Sequence, residues 1–260
     1  MKKHIKDAAP PVVFFLVFVG CWQLATVVWS TPSYFLPGPV LVLKAAIGSA
    51  GQLGGAMLLT GAAAGAALCA SLLIGTLIGF AFSQSPMIRR AGYPYAIFLQ
   101  TVPIIAIAPL IVTYFGRGFL SVVLVGFIIS VFPIITSATH GLTATDPDLR
   151  DLFRLNGASR WQVLCKLRLP NAVPYIITGA RTSSGVAVIG AIVGEFFAGT
   201  SSGRIGLGYL IRQKVGLLKT EELFAAVIAS TLLGVVIFTA VNYIGTTILS
   251  RWYDPSAAPQ

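Results

Sequence analysis

The sequence predicts an all-α polytopic membrane protein with six transmembrane helices, both termini cytoplasmic, and a helix–Gly–helix loop on the cytoplasmic side. Three observations carry that prediction. Of the 260 residues, 56% are apolar and only 10% are charged, whereas a soluble domain carries about 25% charged residues. Six apolar stretches approach or exceed the roughly 20 residues needed to cross a hydrocarbon core about 30 Å thick. The basic residues are unevenly divided between the two sides of those stretches, which orients them. No linker or low-complexity tract divides the chain, so residues 1–260 read as a single transmembrane domain.

The first stretch, 12–29, follows Lys2, Lys3 and Lys6. No A-x-A site follows it and five further stretches do, so it reads as a retained helix and not a cleaved signal peptide. Residues 30–55 contain Pro32, Pro37 and Pro39, then a helix-like run over 40–50, and read as an outer loop with a short interfacial helix. The second span, 56–82, carries two GxxxG units, Gly61/Gly65 and Gly75/Gly79, suited to close helix packing. The third, 93–115, contains Pro94, Pro103 and Pro109. Prolines inside a helix free carbonyls and kink it, and membranes tolerate this where backbone is buried or lines a cavity. The preferred reading is a kinked, pathway-lining helix, with Gln100 and Thr101 as its polar groups beside Pro103 and Pro109.

The fourth span is 119–140, containing Pro133, and the fifth is 172–198. The fifth holds two ionisable residues, Arg181 and Glu195, and such groups inside a span are functional candidates. Their spacing puts them on one helix face, roughly 21 Å apart. Arg181 either snorkels to the cytoplasmic interface or lines the path. Glu195 is either a carboxylate hydrogen-bonded to a neighbouring helix or part of an outer gate. An outer loop over 199–221 mixes Arg204, Arg212, Lys214 and Lys219 with Ile205, Leu207, Leu210 and Ile211, and reads either as a solvated amphipathic helix or as a face whose basic residues contact an external partner. The last span is 222–249.

With the N-terminus inside, Lys2, Lys3, Lys6, Arg89, Arg90, Arg150, Arg154, Arg160, Lys166, Arg168 and Arg251 are cytoplasmic, eleven against six on the outer side. The net charge of +10 is thereby assigned to a membrane face, with lipid as neighbour and no nucleic acid partner.

The loop over 146–170 is the most informative segment. Asp146 is a good N-cap and Pro147 suits the first helical position. Leu149, Leu152 and Phe153 form an apolar stripe, with Arg150, Asp151 and Arg154 on other faces. Gly157 can stop the helix in the left-handed conformation. Ser159 and Gln162, flanking Arg160, make a capping box for a second helix, expected to end at Pro170 and Pro174. The result is an amphipathic elbow that either rests on lipid headgroups or docks a cytoplasmic partner.

Asp151-Leu152-Phe153, Gly157 and Leu169-Pro170 resemble the EAA loop of ABC importer permeases. The runs Gly157–Gln162 and Leu169–Ile176, together with Pro103–Gly116, Thr178–Arg181, Glu195 and Gly206–Ile211, are similar to the nitrate/sulfonate/taurine subgroup of binding-protein-dependent inner-membrane components. The resemblance covers about 34–250 of the chain. It implies a permease of a bacterial-type cytoplasmic membrane that acts as a homodimer. Its partners would be a cytoplasmic ABC ATPase dimer docked on the elbows and an external substrate-binding protein. It implies ATPase-coupling roles for Leu149, Asp151, Leu152, Phe153, Gly157, Ser159 and Arg160. Leu152 and Phe153 stand where the family carries two small residues, which implies a roomier socket on the partner. The implied solute is a nitrate-, sulfonate- or taurine-like anion or a small heterocycle such as a pyrimidine precursor or riboflavin.

No Lys follows a Gly, so the GxxxxGK[ST] phosphate loop is missing, and the expectation is a non-enzyme with no cofactor of its own, ATP and Mg being held by the partner ATPase. Three scattered cysteines and two histidines make no metal motif. The formal GxSxG match at Gly199–Gly203 reads as chance, and no catalytic residue is expected. The alternative, a self-contained secondary transporter, calls for an internal repeat and several intramembrane charges.

Overall fold

The structure, a computed structural model, describes residues 2–28, 32–200 and 203–252. The side chains of Lys2, Lys3, Lys6 and Arg251, expected to mark the cytoplasmic side, lie outside the described part. The architecture is all-helical. Helix α1 (Lys2–Val28) is followed by α2 (Pro39–Gly48), α3 (Ala50–Gln84), α4 (Pro86–Thr101), α5 (Ile104–Phe115) and α6 (Phe119–Thr143). Then come α7 (Pro147–Leu155), α8 (Arg160–Val163), α9 (Leu169–Ala198), α10 (Leu207–Gly216) and α11 (Thr220–Trp252).

Among the described residues four helices are long and apolar enough to cross a membrane: Ala50–Gln84, Phe119–Thr143, Arg160–Ala198 and Thr220–Ser250. The expected third span is not one helix. It is α4 and α5, bent by 94°. The break follows from Pro103: a residue preceding proline is pushed out of the helical region, and Val102 takes φ −68°, ψ 127°. Pro94 and Pro109 lie inside α4 and α5 without ending them, so of the three prolines only Pro103 breaks the span. The expected first span is helical, but its apolar part, Val12–Val28, is a shorter segment.

Helices α3, α6 and α9 make the most extensive contacts, and small residues let them approach. A Cβ added to Gly190 on α9 would lie 2.6 Å from the Gly126 Cα on α6. Of the two GxxxG units, Gly75 and Gly79 press on α6 at Ile134 and Ala138, whereas Gly65 meets nothing within 4 Å. Hydroxyls stitch the same seam. Ser183 donates to the Ser130 carbonyl at 2.7 Å, and the Ser71 and Ser130 hydroxyls are 2.7 Å apart. On α1, α4, α5 and α11 many large apolar side chains face outward, Phe14, Tyr95, Phe98, Tyr114 and Val236 among them. Exposed apolar side chains in such number suit helices that face lipid.

The second arm of the elbow also departs from expectation. It does not end at Pro170 and Pro174. Residues Leu164–Arg168 form a wider π-helical turn, in which the Leu169 N–H bonds the Leu164 carbonyl, and the chain continues as helix to Ala198. The wide turn shifts the hydrogen-bond ladder by one residue just where Pro170 has no N–H to give.

Overpacking the α6–α9 seam should cost about 1–3 kcal/mol. Gly190→Leu is therefore expected to lower the melting temperature and the yield of monodisperse protein. Gly185→Ala, where nothing lies within 4 Å, should leave both unchanged. Detergent melts of the two variants check this, and equal melting would contradict the close seam.

Candidate functional site

The elbow at 146–163 forms through its own caps. The Asp146 carboxylate accepts from the Asp148 N–H at 2.9 Å, starting α7 behind Pro147. Its end is a Schellman turn: the Gly157 N–H donates to the Arg154 carbonyl and the Ala158 N–H to that of Phe153. Gly157 sits at φ +67°, the left-handed region that glycine enters without penalty. The α8 capping box is complete. The Gln162 N–H donates to the Ser159 hydroxyl at 3.2 Å, and the Ser159 N–H donates to Gln162 Oε1 at 2.7 Å.

These caps hold out an apolar surface. Leu149, Asp151, Leu152 and Arg160 are exposed, and Phe153 is half-buried. Leu152 and Phe153 border a hollow of about 300 Å³ shared with Asn156, Ala158, Gln162 and Lys166. Two residues outside the expected set project furthest, Leu155 at 86% exposure and Trp161 at 70%. Trp161 was legible as a large aromatic directly behind a helix cap. Leu155 sits three residues beyond Leu152 and extends its stripe.

The expected pathway residues are not gathered into one place. Gln100 is exposed at the end of α4, and the Thr101 hydroxyl, also exposed, donates to the Phe98 carbonyl at 3.0 Å. Pro103 forms the break and Pro109 lies within α5. Arg181 is half-buried against α11, close to Gly245, and its Nε finds no hydrogen-bond partner among the described residues. Ser201 of the formal GxSxG match lies outside the described residues.

Glu195 is 4% exposed, hydrogen-bonded to its neighbours as the first of the two sequence alternatives expected. The Thr60 hydroxyl on α3 faces both carboxylate oxygens, at 2.9 and 2.8 Å. The Gly208 N–H donates to Oε2 at 2.9 Å, and the Leu207 N–H donates to the Thr60 hydroxyl oxygen at 3.0 Å. A helix begins with N–H groups that lack partners inside it, and here α10 has two of its own satisfied by side chains from α9 and α3. The carboxylate also suits the positive end of the helix dipole. A side chain at Gly206 would strike the Glu195 carboxyl, and one at Gly208 would strike the Ile192 carbonyl. The Gly-Leu-Gly spacing is therefore set by this approach.

In consequence α10 is not simply a solvated amphipathic helix. Leu207 and Leu210 are buried in the main core cluster with Leu53, Ala56 and Ala229. Lys214 forms an ion pair with Glu222 of α11, and Lys219 reaches the same carboxylate at 3.0 Å. Thr60 was missed because no local signal links it to a carboxylate 135 positions away.

Residues 71–256 match the family of binding-protein-dependent transport system inner membrane components. The chain is 31% identical to the formylaminopyrimidine transport permease protein ThiX of Halalkalibacterium halodurans, over 95% of this chain and 97% of that protein. It is 32% identical to the riboflavin transport system permease protein RibX of Chloroflexus aurantiacus, over 93% and 89%. It is also 32% identical to the taurine transport system permease protein TauC of Escherichia coli, over 79% and 76%. In fold it resembles a chain of the inward-facing MetNI methionine ABC transporter, with a TM-score of 0.64 at 17% identity, over 79% of this chain and 98% of that one.

Thr60→Val removes the hydroxyl that serves both Glu195 and Leu207, and leaving buried polar groups unpaired costs about 1–3 kcal/mol. The expected result is a lowered melting temperature. Glu195→Gln, which keeps an acceptor for Gly208, should cost less than Glu195→Ala. A melt series over the three variants tests the order.

Proposed function

Since the chain belongs to the family of binding-protein-dependent transport system inner membrane components, an ABC importer permease subunit of the cytoplasmic membrane, we propose the following division of labour. Six crossings, with α4–α5 counted as one and α1 as another, place both termini and the elbow in the cytoplasm. Two copies enclose the translocation pathway, as a homodimer. Two cytoplasmic ATPases dock on the elbows and hold the ATP and Mg. An external binding protein delivers the solute to the opposite face.

One observation supports this reading above the others: the capped elbow turns Leu149, Leu152, Leu155 and Trp161 outward, and its second arm, α8, is continuous through the π-helical turn with α9. An amphipathic segment that merely rested on lipid would have no need of a rigid join to a spanning helix. A join of this kind turns a push on α7 into a tilt of α9, and so into alternating access. Leu149, Asp151, Leu152, Phe153, Gly157, Ser159 and Arg160 form the coupling surface. Gln100, Thr101, Pro103, Pro109 and Arg181 border the path, and Glu195 fixes its outer end. The solute is a small anion of the nitrate, sulfonate or taurine kind, or a small heterocycle such as a pyrimidine precursor or riboflavin.

A charge buried at the centre of such a docking face should weaken it by about 2 kcal/mol or more, roughly thirtyfold. Leu152→Glu or Phe153→Asp is therefore expected to abolish transport in proteoliposomes and to reduce co-purification of the ATPase. Full transport with normal co-purification would overturn the coupling role.

A further inference from the structure

A cleft of about 460 Å³ lies between the start of α4 and the last turns of α6, bordered by Arg89, Arg90, Tyr93, Thr136, Thr139 and His140. Because α6 runs directly into Asp146, the cap of the elbow, the cleft sits at the elbow's end of the bundle. It contains two guanidinium groups and no carboxylate. Among the described residues no Asp or Glu comes within ion-pair distance of Arg89 or Arg90. Arg168 adds another cation nearby, donating to the Ser83 carbonyl at the end of α3 at 3.5 Å.

The donors in the cleft are few and identifiable. The Thr136 and Thr139 hydroxyls give their hydrogens to the α6 backbone, at 3.0 and 2.7 Å. Arg89, Arg90 and the ring N–H of His140 are not engaged by any described residue through their side chains. The His140 ring is held edge-on to Tyr175, centroids 5.2 Å apart, and Tyr93 is held between Phe82 and Phe132. Planar guanidinium forks match the oxygens of a phosphate or sulfonate group, and basic pockets between spanning helices at the cytoplasmic side receive lipid headgroups.

We propose that this cleft binds an oxyanion group of the phosphate or sulfonate kind, held by Arg89 and Arg90 on one wall and His140 on the other. The group belongs to a soluble anion or to a lipid headgroup, and one experiment separates the two. The full chain is reconstituted in phosphatidylcholine nanodiscs and melted against inorganic phosphate and methanesulfonate, with chloride at equal ionic strength as the reference. A parallel set replaces part of the phosphatidylcholine with phosphatidylglycerol.

A ligand that binds only the folded chain raises its melting temperature. A saturable rise with the soluble anions assigns a solute subsite, and a rise with phosphatidylglycerol alone assigns a headgroup site. Either supports the proposal when Arg89→Gln/Arg90→Gln weakens the response about tenfold or more. Arg204→Gln, at the far end of α9, should respond as the parent does. His140→Gln reads the opposite wall independently and should also weaken binding. No saturable response to any of the three probes overturns the proposal. So does a response that survives undiminished in the folded arginine double variant or in His140→Gln.

Discussion

The end of this bundle remote from the elbow depends on one buried carboxylate. Glu195 sits among apolar helices, where an unpaired charge or polar group is costly, and it is accommodated because Thr60 and the first turn of α10 donate to it. The same contacts satisfy α10, whose opening N–H groups would otherwise be orphaned in the core. Two consecutive helices, α9 and α10, and the sequence-distant α3 thus solve one another's polar problem at a single point. The glycines at 206 and 208 follow from it, because the backbone must come close enough for its N–H to reach the carboxylate.

From that point inward α9 is a strut. Its glycine and serine face is locked against α6, where Gly126 and Gly190 bring two backbones into contact and Ser183 reaches the Ser130 carbonyl. Close-packed interiors transmit displacement instead of absorbing it. At the strut's other end the π-helical turn passes it into the elbow without a break. The contrast is α4–α5, where Pro103 divides a would-be span into two helices at 94°. Under the proposed coupling the strut carries motion and the bent pair lies beside the path.

The relatives named for formylaminopyrimidine, riboflavin and taurine carry different solutes, yet neither the elbow nor the Glu195–Thr60 node contains anything shaped to any one of them. The two features are mechanical: an exposed, capped elbow at one end, and a helix anchored by side chains of its neighbours at the other. The basic cleft near the elbow stands apart from both. It presents charge without a counter-charge among the described residues, in a chain of which only 10% is charged.

The sequence by itself determined what is settled within about four residues along the chain. Length and hydropathy mark the long apolar helices, Asp146 and Pro147 start α7, Gly157 stops it, and Ser159 with Gln162 starts α8, since each cap and its partner are neighbours. Pro103 was legible for the same reason, as a local clash. Only the tertiary structure decided which of two GxxxG units would be packed, that α10 would bury Leu207 and Leu210, and that Glu195 would find Thr60. Those outcomes turn on which surfaces meet across tens or hundreds of residues. Local sequence specifies a helix and its ends, but the partner of a buried polar group is whatever the packing of other helices brings within 3 Å.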